Sequence, residues 1–227
     1  MSVPAATTTL DSVRAELERN VEPAYRKKIT EFVPTGVAII GVRVPAIRKI
    51  AQAWHQAKKE VTPDTALDLL AAAFKRRCRE ALLFATVVVS RMKMKLTKTH
   101  LRRIDPLIDH IEDWEVCDQL SMNVIGEIVA ANLDETARLE KWAKAKNPWR
   151  RRAAIASTTA LNQKGSKHAG PTLDICTHVM TEKDTCVRKA VGWALREATK
   201  SEPEAVFEFL LSWRDRAERR ILNEGSQ

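Results

Sequence analysis

Three tryptophans carry the first chemical signal in this sequence, because each lies within four residues of a charged side chain at a position that recurs along the chain: Trp114 before Asp118, Trp149 before Arg152 and Trp193 after Lys189. A spacing of three or four residues puts both side chains on one face of a helix. An indole beside a carboxylate or a guanidinium suits a flat, cationic or stacked ligand. Indoles that only fill space between helices give the same pattern, so packing is the competing reading. Asp118 is the most informative acid. It follows Trp114–Glu115–Val116–Cys117 and precedes the apolar stretch Leu120 to Val129, and a carboxylate on an apolar helical face costs desolvation energy without a partner or a purpose. Arg152 could be that partner, so a salt bridge between repeats stands beside the reading of Asp118 as a reactive acid. Trp54, Trp142 and Trp213 lie outside that recurring arrangement and are assigned to packing. Cys176, His178 and Cys186 lie close together but lack a fourth ligand, so no metal is expected. No P-loop or dinucleotide fingerprint occurs, and no cofactor is expected.

Helices must position these residues. Seven Gly and nine Pro in 227 residues leave little room for hairpins or long linkers. Start signals recur at Pro45, at Pro63 after Thr62, at Pro148 after Asn147, and at Pro171 and Pro203. Apolar spacings of three and four between them predict helices over about 9–30, 44–59, 63–74, 76–92, 97–110, 114–132, 134–145, 148–163, 171–181, 185–200 and 203–216. The run Ala81 to Val89 ends in β-branched residues, yet its flanks favour a buried helix over a strand. The segment Gln163 to Gly170 is the best candidate for a flexible connection. Four triplets echo one another, Arg79–Glu80–Ala81, Cys117–Asp118–Gln119, Arg151–Arg152–Ala153 and Arg188–Lys189–Ala190, at separations of 38, 34 and 37 residues. Two-helix units of that length cannot bury an apolar face alone and stack into a curved solenoid, an α-α superhelix with one long concave surface. The fold class is therefore all-α, as a single helical-repeat domain over 1–227. Helices over 9–59 are expected to cap it, with repeats over about 63–216.

The chain carries 38 Lys and Arg against 29 Asp and Glu, a net +9. Between Lys141 and Arg220 the balance is 17 against 9, so that segment holds +8 of the total. A basic concave surface built from helix termini is a good receptor for a phosphate backbone, which makes nucleic acid the first partner to consider and a merely solvated basic face the alternative. With 44% hydrophobic residues the chain is not of the disordered class. No apolar stretch approaches the roughly 20 residues of a membrane-spanning helix, and residues 1–10 have no signal-peptide pattern, so a cytoplasmic location is expected. Cys78, Cys117, Cys176 and Cys186 form no CxxC pair and are expected to be reduced and mostly buried.

Four segments resemble the AlkD family of DNA alkylation-repair glycosylases: Gly41–Val42–Arg43–Val44–Pro45–Ala46–Ile47–Arg48, Asp113–Trp114–Glu115–Val116–Cys117–Asp118, Asn147–Pro148–Trp149–Arg150–Arg151–Arg152–Ala153–Ala154–Ile155, and Lys189–Ala190–Val191–Gly192–Trp193–Ala194–Leu195–Arg196–Glu197. Their order and spacing agree over about residues 40–200. The resemblance implies a solenoid of HEAT-like repeats whose concave face holds double-stranded DNA. It implies that Trp114, Asp118, Arg152 and Trp193 line the catalytic cleft, with Arg48, Arg150, Arg151, Arg188, Lys189 and Arg196 as candidates for contact with DNA. The implied activity is hydrolysis of the N-glycosidic bond of cationic alkylated purines, N3-methyladenine and N7-methylguanine, with the lesion kept in or near the stack. The chain would then be a monofunctional glycosylase initiating base-excision repair, a monomer associated with the nucleoid when bound to DNA. Two features depart from the family pattern. Tyr25 does not align with the family's DNA-contacting Tyr, and Arg43 occupies a place that is usually uncharged. The alternative is a noncatalytic helical-repeat scaffold that binds DNA or an acidic protein.

Overall fold

The computed structural model describes residues 3–33, 35–58, 60–163 and 168–225, with side chains from residue 5 onward. These residues are helical apart from connections and one isolated β-bridge between Ala38 and Cys78. They divide into two compact units, 1–120 and 121–227.

The first unit contains α1 (Val3–Glu18), α2 (Pro23–Phe32), α3 (Val44–Ala57), α4 (Pro63–Arg76), α5 (Arg79–Ser90), α6 (Lys98–Ile104) and α7 (Trp114–Leu120), with 3-10 turns at Lys93–Lys95 and Asp105–His110. Helix α5 packs between α3 and α7, and α4 between α1 and α6, giving two rows of helices. The run over 81–89 is indeed a buried helix. Phe84, Ala85, Val88 and Val89 have no exposed surface, as the centre of a two-row packing requires.

In the second unit a π-helical segment, Ser121–Ile125, leads into α8 (Gly126–Ala131), followed by α9 (Thr136–Ala143), α10 (Pro148–Thr158), a 3-10 turn at Thr159–Asn162, α11 (Ala169–Thr177), α12 (Thr185–Thr199), α13 (Pro203–Trp213) and α14 (Arg219–Gly225). Helix α12 packs between α10 and α14, while α11 packs against α9 and α13. The pairs α9–α10 and α11–α12 are successive two-helix units, the arrangement anticipated from the echoing triplets.

Several boundaries differ from the pattern-based ones, each for a local reason. The helix predicted over 9–30 is two helices, because Pro23 has no N–H to donate and opens α2 in its first turn. The helix predicted from 76 begins at Arg79, because Arg77 adopts a left-handed conformation, φ 48°, that ends α4. The predicted helix over 114–132 is interrupted by the π-helical segment, which apolar spacing does not reveal. Helix α14 was not predicted. Thr62 and Asn147 do cap their helices as expected, accepting from Thr65 N at 3.1 Å and Trp149 N at 2.9 Å. Of the predicted connection over 163–170, residues 164–167 lie outside the described residues.

The four cysteines are free thiols, and Cys117 and Cys176 are wholly buried. Burial pushes the Cys176 thiol up to about 12; burial, with Asp184 beside it, does the same for Cys186. Only the thiolate reacts with alkylating agents. Iodoacetamide at about pH 8 should therefore leave Cys117 and Cys176 unmodified in the native chain and label both after denaturation, as peptide mass mapping would show. Rapid native labelling of Cys176 would contradict this packing.

Candidate functional site

Helix α7 sorts its residues cleanly. Val116, Cys117 and Leu120 face the core with no exposed surface, while Trp114, Glu115, Asp118 and Gln119 are half-buried on the other side. Trp114 and Asp118 are thus one turn apart on a face open to solvent, and Asp118 does not point into the apolar core as the sequence pattern suggested. The start of α7 is held by Asp113, itself buried. Its Oδ1 accepts from the backbone N–H of Glu115 at 2.7 Å and of Val116 at 3.2 Å. Its Oδ2 accepts from Arg79 Nε at 2.9 Å. The Arg79 side chain is 0% exposed and also pairs with Glu115. Burial works against its charge, but Asp113 and Glu115 outweigh this and hold the guanidinium above its ordinary range.

The motif over 41–48 is positioned from the same helix as Arg79. Glu80 is fully buried and accepts from the N–H groups of Ile40 and Gly41, both at 2.9 Å, clamping the loop that leads into α3. Gly41 has φ +100°, a conformation that L side chains rarely adopt, and a Cβ there would run into Arg26. This explains the glycine. Beyond the loop, the exposed Arg48 donates to Gln119 Oε1 at 3.3 Å, and its charge also acts on Glu115. Arg43 lies 4.9 Å over the Tyr25 ring and donates to Glu22 at 2.7 Å. The two positions that departed from the family pattern therefore stack on each other, and burial pushes the Tyr25 phenol up.

In the second unit the same construction recurs. Arg151 Nε pairs with Glu182 at 2.6 Å and its Nη1 donates to the carbonyls of Ala145 and Lys146 at 2.9 and 2.7 Å. Arg188 pairs with Glu218 at 2.9 Å and donates to Thr185 Oγ1 at 3.0 Å. Arg79, Arg151 and Arg188 are three of the four leading residues of the echo, and each reaches an acid at the start of the next helix in its row. The fourth, Cys117, is a buried thiol. The repeat echo is therefore a ladder of helix-to-helix ion pairs inside each unit. Burial raises the Glu182 carboxyl, but its bonds with Arg151 and with the Asp184 and Lys183 backbone outweigh this and leave it below its ordinary value. Arg152 is 5% exposed and donates to the backbone carbonyl of Cys186 in the first turn of α12. Along α12, Lys189, Trp193 and Arg196 occupy one face at helical spacing. Lys189 is exposed, Trp193 half-buried, and Arg196 donates to the Glu224 carbonyl at 2.6 Å. Beside Trp193, Gly192 lets α14 approach, since a Cβ would come within 2.6 Å of Glu224 Cβ.

A family model for the DNA alkylation repair enzymes matches residues 13–227. The chain belongs to that family. Among solved structures it is similar to a predicted DNA alkylation repair enzyme from Enterococcus faecalis, with a TM-score of 0.77 at 17% identity over 92% of this chain and 96% of that one. It is similar to AlkD2 from Streptococcus mutans, with a TM-score of 0.64 at 16% identity over 96% and 98% of the two chains. A third likeness is to the Pseudomonas fluorescens alkylpurine DNA glycosylase AlkC bound to DNA containing an abasic site analog, with a TM-score of 0.53 at 14% identity over 98% of this chain and 60% of that one. At such identities the likenesses establish the fold, the all-α helical-repeat fold of these DNA repair proteins. No curated protein sequence matches significantly.

For this member of the family, the residues singled out from sequence divide by unit. Trp114, Asp118 and Arg48 are in the first, on or beside the outward face of α7. Arg150, Arg151, Arg152, Arg188, Lys189, Trp193 and Arg196 are in the second. Arg151, Arg188 and Arg196 are engaged in helix-to-helix bonds, and Arg150 lies 5.6 Å over the buried Trp142 ring. Trp54 packs edge-on against Phe84, with centroids 5.8 Å apart, and Trp213 packs against Phe209. The sequence reading missed Arg79, Asp113 and Glu80 as the residues that hold α7 and the 41–48 loop. An acid directly before a helix start, as in Asp113–Trp114–Glu115, was the available signal. Among the described residues no helix is long and apolar enough to cross a membrane, and no three His, Cys, Asp or Glu are placed to hold a metal ion.

Proposed function

We propose that this chain is a DNA glycosylase that hydrolyses the N-glycosidic bond of cationic alkylated purines in duplex DNA, with Asp118 as its catalytic carboxylate. The single observation that supports this most is the outward face of α7, where a carboxylate and an indole sit one turn apart on a helix pinned by buried charge. Alkylation at N3 of adenine or N7 of guanine makes the base cationic and already a good leaving group, so no acid is needed to protonate it. As the base leaves, positive charge develops on the sugar toward an oxocarbenium ion. One fixed carboxylate beside C1′ stabilises that charge and can hold the attacking water. The electron-rich face of Trp114 favours the same growing charge. A site of this kind touches sugar and backbone, reads the lability of the lesion rather than its edges, and has no need to move the base into a pocket. In the second unit Trp193 would contact deoxyribose and Lys189 and Arg150 phosphate, with Arg152, 5% exposed and held on the Cys186 carbonyl, positioning the start of α12. The reaction would start base-excision repair on nucleoid DNA in the cytoplasm.

The engagement of Arg152 with the Cys186 carbonyl favours a second reading, in which the chain holds DNA without cleaving it. One assay separates the two: a duplex carrying N7-methylguanine or N3-methyladenine is incubated with the protein and free base is quantified against spontaneous loss. Base release above that background is expected, and release at background from a protein that binds the duplex would establish the scaffold. The logarithm of the binding constant should fall linearly with the logarithm of salt concentration, with a slope of about −0.9 per phosphate neutralised. A flat salt dependence would remove the phosphate-gripping role of the basic residues.

A further inference from the structure

Helix α13 leaves an apolar stripe uncovered. Of its residues only Val206 is buried, whereas Phe207 is 67% and Leu211 50% exposed. These are the only exposed large hydrophobic residues one turn apart on one helix among those described. Glu204 precedes them and Arg214 follows, both exposed, and at about 100° per residue the four side chains fall within an arc of about 80°. The order along the stripe is therefore acidic, apolar, apolar, basic. It is also symmetric: Phe207 and Leu211 lie two residues either side of Phe209, and Glu204 and Arg214 lie five residues either side of it.

A stripe of this kind complements its own reverse. We propose that α13 is the contact between two copies of this chain, packed antiparallel about a two-fold axis opposite Phe209, in place of the monomer expected from the sequence. In that register Phe207 of each copy meets Leu211 of the other, and Glu204 meets Arg214. An isologous two-fold contact uses one patch twice, which is what a symmetric stripe provides. A hollow of about 760 Å³ beside Phe207, lined by Pro203, Val206 and Leu210 together with Thr199, Lys200 and Arg196, gives Leu211 of the second copy a mainly apolar seat. Arg214 pairs within its own chain with Asp215 at 3.1 Å, but those side chains are 68% and 81% exposed, so exchanging that pair costs little. A membrane surface fits this stripe poorly, since an interfacial helix is rich in Lys and Arg on its polar face, whereas α13 carries Glu204 and Glu208 and no Lys or Arg between Pro203 and Trp213.

Two apolar side chains per copy make a small interface, so the dimer is weak, with a Kd of about 10–100 μM. Sedimentation equilibrium of the full chain from about 5 to 500 μM should show reversible dimerisation. Glu204→Arg and Arg214→Glu each place like charges opposite one another and should raise Kd about tenfold, while the double variant E204R/R214E should return it to within about threefold of the parent. Phe207→Ser should abolish the dimer with an unchanged thermal melt, since its side chain is on the surface. A parent chain that stays monomeric over the whole range overturns the proposal. So does a double variant as dissociated as the single ones.

Discussion

Asp118→Asn should lower the rate of alkylpurine release about 10²- to 10³-fold, the loss typical for removing one preorganised electrostatic group from a transition state. The substitution keeps size and shape and removes only charge, so it separates stabilisation of an oxocarbenium-like sugar from packing. Packing itself should be spared. The core contacts of α7 come from Val116, Cys117 and Leu120, on the face opposite Asp118. The urea midpoint and the affinity for an undamaged duplex are accordingly expected to stay near those of the parent, while single-turnover release of N7-methylguanine falls. Equal release rates for parent and variant would sink the assignment of Asp118. Trp114→Phe should cost less, because a smaller aromatic face still lies one turn away on the same side of the helix.

Asp113→Ala should destabilise the fold by about 3–5 kcal/mol, the usual cost of removing one partner from a buried ion pair, with Glu115 left as the remaining carboxylate on Arg79. Arg79 is the charge in question, 0% exposed and bonded to Asp113 at 2.9 Å. Loss of the cap on α7 adds about 1 kcal/mol within that range. Chemical denaturation followed by circular dichroism would measure it, and a change under about 1 kcal/mol would show that Arg79 is held by its other partners. The cluster can be tested against itself. Replacing the whole cluster, as Arg79→Met with Asp113→Asn and Glu115→Gln, removes the charge and both its partners together and should destabilise less than Asp113→Ala alone. Activity should fall in Asp113→Ala even at temperatures where it is folded, since the same carboxylate fixes the helix start that presents Trp114 and Asp118.

Much of the architecture was legible in the sequence because it depends on periodicity. Proline in first turns, apolar spacing of three and four, and triplets recurring at 34 to 38 residues led to an all-α repeat fold. What periodicity missed was interruption. Pro23 divides what reads as one long amphipathic run, and the π-helical segment at Ser121–Ile125 keeps its apolar residues while changing the hydrogen-bond step. The echo was legible too, but its meaning was not. A recurring Arg reads equally well as a ligand for phosphate or as a strut between helices, and only the positions of Asp113, Glu182 and Glu218 decide for the strut.

By itself, the sequence determined the class of this protein and the short list of residues worth testing, because residue type and helical spacing are local properties that survive without a fold. Tertiary structure alone decided which charges are spent. Arg79, Arg151, Arg188 and Arg196 are taken up by partners that lie 28 to 36 residues away, whereas Lys189 stays exposed on α12. The reason is desolvation. A charge packed between helices is stable only with an opposing charge or carbonyl to meet it, and whether one arrives depends on how the next repeat stacks.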